Sequence, residues 1–142
     1  MKRIDLLIGL MVLSLSLPLN ISAQCVPDEG CEDIDEPGQI CPARLPDGIL
    51  NNAYNEVITV IPPGTFVYNG SPINIGYITI DSIINLPPGI VYEPNKPRFF
   101  PDTSYCVAIT GTPTAEGDFD IAIYVGVYVM IMSDYVKVTT VM

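Results

Sequence analysis

The chemistry open to this chain is narrowed first by a residue that never occurs: its 142 residues include no histidine. Ser–His and Cys–His nucleophile pairs are therefore excluded, together with the usual imidazole ligand for transition metals. Carboxylates are what remain for acid–base work. Glu116, Asp118 and Asp120 cluster around the Gly117 turn, but a working carboxylate pair needs a cleft that holds a bond between its members. Asp118 and Asp120 also fall on one face of a predicted strand, where like charges repel and a solvated turn is the simpler reading. Nucleophile, base and orienting group never come together in the sequence, so the chain reads as a non-enzyme with no catalytic and no cofactor-binding residues.

Calcium is the metal that such side chains would suit, because hard cations take oxygen ligands. The run "DEGCEDIDEPG", Asp28 to Gly38, supplies six carboxylates without the spacing of an EF-hand loop. It reads as a solvated acidic arm. Calcium, if bound, would be sought at Asp33 and Asp35 or at Asp118 and Asp120. No other cofactor is implied. For recognition, Tyr124 and Tyr128 lie on one face of a predicted strand, and Arg98 and Phe99 stand in the loop before it; these four are the binding-surface candidates. The sequence "YNGSP" at Tyr68 to Pro72 contains a formal glycosylation sequon but reads as a turn.

These residues need a frame, and the frame begins after an export signal. Lys2 and Arg3 precede a short apolar run, Leu6 to Leu17, which Pro18 ends, and Ser22-Ala23 supply small residues for cleavage before Gln24. The apolar run is too short for a membrane span. Removing residues 1–23 leaves 119 residues with 4 basic and 15 acidic side chains. That length makes one domain. The acidic surface repels phosphate backbones, so nucleic acid is not an expected partner. Nor is membrane insertion expected once the signal is cleaved. All four cysteines (Cys25, Cys31, Cys41 and Cys106) lie in the exported part. An even count in a small exported chain points to disulfides. Three pairings are open; Cys31–Cys41 closing the acidic loop, with Cys25–Cys106 tying the arm to the domain, is the favoured one.

Residues 24–51 are rich in Pro, Asp, Glu and Gly without apolar periodicity, and read as an irregular arm held by its cysteines. Residues 52–142 alternate strand-like runs with turn residues. Ala53 to Ile61 ends at Pro62-Pro63-Gly64. Asn74 to Asn85 is β-branched, with a slip of phase at Ser82 that fits a bulge. Ile90 to Tyr92 and Tyr105 to Thr110 follow. Phe119 to Ile131 carries an apolar side chain at every second position, and a turn at Ser133-Asp134 returns the chain as Tyr135 to Val141. Strands, Gly/Pro turns and no amphipathic helix predict an all-β antiparallel sandwich.

The pair "LPPGIVY" and "AITGTPTAEGDFDIAIYV" resembles the Ig-like domains of the cadherin-like group in secreted bacterial proteins. Leu86, Pro87, Gly89, Ile90 and Tyr92 match the first motif, and Ile109, Gly111, Thr112, Pro113, Thr114, Gly117 and Phe119 the second. The likeness covers roughly residues 52–129, and the cysteine-bearing start is similar to exported proteins of the Bacteroidetes type. It implies an Ig-like sandwich whose motif residues are structural. It also implies a non-catalytic secreted or cell-surface module for adhesion, binding or spacing in a larger exported protein. Its partner would be a protein or glycan at the cell surface, with other domains in tandem; the strand-like sequence running up to Met142 separately suggests the N-terminal piece of a longer protein. The alternative is a carbohydrate-binding accessory module of a secreted hydrolase. The family's closing Asp-Gly is replaced here by Tyr128-Val129-Met130, which argues against calcium between repeats.

Overall fold

The computed structural model describes residues 25–32, 38–131 and 133–141. The signal segment, Asp33 and Asp35 lie outside the described residues. Among those described, eight strands form: β1 (Gln39–Cys41), β2 (Tyr54–Ile61), β3 (Thr65–Tyr68), β4 (Ser71–Ile84), β5 (Ile90–Pro94), β6 (Tyr105–Gly111), β7 (Ala122–Ile131) and β8 (Asp134–Val141). They pair antiparallel into two four-stranded sheets, ordered β1-β2-β6-β5 and β3-β4-β7-β8. The first order is that of strands A, B, E and D of an immunoglobulin sandwich; the second is C, F and G with β3 added before C. The protein is thus an Ig-like antiparallel β-sandwich with a disulfide-tied N-terminal arm.

The period of two decides which face is buried. Ile123, Val125, Val127 and Val129 of β7 point into the core, where they meet Ile58 and Val60 of β2, Ile75, Ile78 and Ile83 of β4, and Val107 and Ile109 of β6. Each such side chain contributes roughly 1.5–3 kcal/mol by leaving water. Strand β4 keeps its apolar residues inward through two bulges, at Gly76 and Asp81, where its register against β7 shifts. The second of these is the slip expected near Ser82. The first puts Ile75 and Tyr77 on opposite faces.

Two strands fall where none was read. β1 lies within the stretch read as an irregular arm and pairs with the end of β2. β3 forms a two-residue hairpin with β4, in which Tyr68 pairs with Ser71 and Asn69 and Gly70 both take positive φ (51° and 80°). That is the geometry Asn-Gly favours between twisted strands. Conversely, Phe119 to Ile121 stays outside β7. The chain there follows Gly117 at φ +146° and is held by the Asn85 side-chain amide, which donates to the Asp120 carbonyl at 3.0 Å.

The two proline–glycine motifs are one structure. Gly89, at φ +89°, lets the Ile90 amide close on the Pro87 carbonyl at 3.0 Å. The amides of Thr112 and Thr114 then donate to the carbonyls of Gly89 and Pro88 at 3.1 and 2.9 Å. A Cβ on Gly89 would strike the Thr112 carbonyl, and one on Gly111 the Gly89 carbonyl. The motifs therefore clasp the start of β5 to the end of β6.

The arm covers the outer face of the first sheet across β1, β2 and β6. Cys41, Thr59 and Cys106 sit side by side across β1, β2 and β6, and Thr59 and Cys106 are 0% exposed. The arm bonds all three: Cys31 to Cys41, the Asp28 amide to the Thr59 hydroxyl at 2.7 Å, and Cys25 to Cys106. Both disulfides are the favoured pairing, and they fit an oxidising compartment.

Candidate functional site

On the opposite side of the molecule, the outer face of β4, β7 and β8 is built from aromatic rings and cations. The bulge at Gly76 turns Tyr77 outward, onto Tyr128 of β7, and the rings stack 4.3 Å apart at 16°. Tyr135 of β8 leans on Tyr77 at 5.2 Å; its ring occupies the space a side chain at Gly76 would need. Tyr77 is 8% exposed, whereas Tyr135 is 48% and its strand partner Met130 55% exposed. The cluster thus has a buried centre and an open rim, the form in which an aromatic contact patch excludes water.

The segment between β5 and β6 completes the cluster. The Asn95 amide donates to the Cys106 carbonyl at 2.9 Å, and the chain then crosses to the second sheet, where Phe99 and Ile78 exchange backbone hydrogen bonds of 2.8 and 2.9 Å. This short extended stretch obeys strand alternation. Phe99 points into the core, 1% exposed and stacked 4.5 Å from Tyr105. Arg98 and Phe100 point out: the Arg98 guanidinium lies 4.8 Å from the centre of the Tyr77 ring, and the Phe100 ring 6.0 Å away. Phe99 is therefore not a binding-surface residue. Phe100, 47% exposed, is the phenylalanine that reaches the surface.

Between the tyrosines of β7 the outer face carries Gly126, and that gap is used by charge. A Cβ there would collide with Lys137 and crowd the Thr79 hydroxyl and the Asp81 carboxylate. Lys137 bonds Asp81 at 2.8 Å and lies 5.8 Å from the Tyr128 ring centre. The hydrogen bond from Lys137, with a smaller one from Thr79, holds the Asp81 carboxyl below its ordinary value, and the same contact raises Lys137. Tyr124 lies beyond Gly126, half-buried opposite Ser82, and joins none of the ring pairs among the described residues.

The structure thus brings together Tyr128 and Arg98 from the sequence candidates, sets Tyr124 at the margin, and adds Tyr77, Phe100, Tyr135 and Lys137. The carboxylates are placed elsewhere. Asp118 and Asp120 are exposed on the segment before β7. Among the described residues no three His, Cys, Asp or Glu side chains group closely enough to hold a metal ion. No helix among them is long and apolar enough to cross a membrane. No family model, no curated protein and no solved structure matches this chain.

Proposed function

We propose that the chain is a non-catalytic module of an exported bacterial protein, secreted or held at the cell surface, which serves adhesion, binding or spacing. The contact surface is the outer face of β4, β7 and β8. One observation carries this reading: that face gathers Tyr77, Tyr128, Tyr135 and Phe100 with Arg98 and Lys137, although the chain has only 6 basic residues against 16 acidic ones. Aromatic and arginine side chains around a water-excluding centre are the composition of binding hot spots. A protein partner fits better than a glycan. The central ring offers a sugar no free face to stack on, since Tyr77 is covered by Tyr128 on one side and approached by Arg98.

The test is a binding screen of the immobilised oxidised chain against panels of cell-surface proteins and glycans, repeated with Phe100→Ala/Tyr135→Ala. A protein ligand that the variant binds at least tenfold more weakly supports the proposal. Retention of glycans alone, with the same loss in the variant, favours the carbohydrate-binding accessory module. Full binding by the variant would place the contact surface elsewhere.

A further inference from the structure

The two outer faces of the sandwich differ in charge as well as in direction. Arg44, Lys96, Arg98 and Lys137 are the basic residues among those described. Arg44 is matched by Asp47 at 3.5 Å and Lys137 by Asp81 at 2.8 Å. Lys96 and Arg98 are exposed and have no ion-pair partner among the described residues. The unmatched positive charge therefore lies on the segment that borders the aromatic cluster. Arg98 there reaches the same Tyr77 ring that Phe100 and Tyr135 flank.

On the other side of the molecule the arm presents the complement. It is pinned at every third residue: Cys25 to Cys106, the Asp28 amide to the Thr59 hydroxyl, and Cys31 to Cys41. The residue after each anchor is turned to solvent, and these are Val26, Glu29 and Glu32. Val26, at 75%, is the most exposed large apolar side chain among the described residues. Neither glutamate has an ion-pair partner among them. An apolar side chain followed by two carboxylates is thus held in place before any contact is made, which lowers the ordering entropy lost on binding.

On the reading of the outer face of β4, β7 and β8 as the contact surface, on which this step rests, we infer that its occupant is the arm of a second copy of this chain. Glu29 and Glu32 lie against Lys96 and Arg98, and Val26 lies against the rim formed by Phe100 and Tyr135. Charge selects this arrangement. Two copies meeting face on face, or arm on arm, set like charges against each other, which suppresses the contact. Arm on face pairs opposite charges and puts an apolar side chain against aromatic ones. Because the outer faces of a sandwich point away from each other, one such contact leaves a free arm on one copy and a free face on the other. The contact is heterologous and adds further copies in an open chain, where a two-fold dimer would close. The net charge of −10 per chain opposes it, so assembly is weak and grows with concentration.

Sedimentation velocity of the oxidised chain over a concentration series is the test, with two variants altered only at exposed positions. Arg98→Ala/Phe100→Ala disables the face. Val26→Ser/Glu29→Gln/Glu32→Gln disables the arm and keeps all of its anchors. The natural chain should grow past a dimer as concentration rises, and each variant alone should associate at least tenfold more weakly. An equimolar mixture of the two variants should regain the natural strength but stop at a one-to-one pair, since one working arm and one working face remain between them. A natural chain that stays monomeric up to about 1 mM, full association by either variant alone, or a mixture that does not form the one-to-one pair would overturn the inference. The contact surface is judged separately: loss of a surface ligand by Phe100→Ala/Tyr135→Ala in the binding screen upholds it even when the natural chain is monomeric.

Discussion

Across β1, β2 and β6 the outer face is sealed by a separate piece of chain, whereas across β4, β7 and β8 it is finished by its own side chains. The first face uses covalent bonds and one buried hydroxyl contact, and leaves Thr59 and Cys106 with no exposure. The second uses stacked rings and an ion pair, and leaves Phe100, Met130 and Tyr135 about half open. A sandwich needs both inner faces to fold, but either outer face is free to take another task. Here one anchors the arm, and the other stays open to solvent at its rim.

The largest effect should come from breaking the seal. Cys25→Ala/Cys106→Ala opens a link that spans 81 residues of sequence and should lower unfolding free energy by about 4 kcal/mol in the chain-entropy picture. Denaturant unfolding of the oxidised protein measures it. The centre of the open face comes next: Tyr77→Ala removes a ring that is 8% exposed and should lose about 3 kcal/mol. If that substitution proves neutral, the rings are surface decoration and the comparison fails. Thr59→Val deletes the acceptor of the Asp28 amide and should lose about 1 kcal/mol. Phe100→Ala and Tyr135→Ala, on the rim, should lose about 1 kcal/mol or less each.

The smallest effect concerns pH. The Asp81 carboxyl is held low in the folded state, so its contribution is present above the ordinary value of 3.8 and is lost as pH falls through the lowered one. The melting temperature of the natural protein should therefore fall slightly more steeply in acid than that of Asp81→Asn. Identical slopes would mean that the pair with Lys137 adds nothing.

Much of this frame is legible in the sequence. Strict alternation in β7 named its core face, and of the three pairings the four cysteines left open, the favoured one is the one that forms. What escaped has physical causes. β1 and β3 are three and four residues long, too short for a period to register, although Asn69-Gly70 marked the hairpin. Ser82 revealed its bulge because the isoleucines on either side change phase. Gly76 did not, since Tyr77 stands two residues from Ile75 and looks like its neighbour on one face. Phe99 and Phe100 are indistinguishable until Ile78 fixes which of them faces inward. The aromatic cluster joins β4, β7, β8 and a loop, and such meetings are set by tertiary register rather than local pattern.

Hydroxyl-radical footprinting of the oxidised chain tests the central contrast most directly. Heavy modification of Phe100, Met130 and Tyr135 is expected alongside protection of Ile61, which is 3% exposed on the first sheet. Cleaving the Cys25–Cys106 link while the fold is retained should expose the first face and leave the second unchanged. Protection of Phe100 and Tyr135 in the isolated chain, or modification of Ile61 before the arm is released, would contradict that contrast.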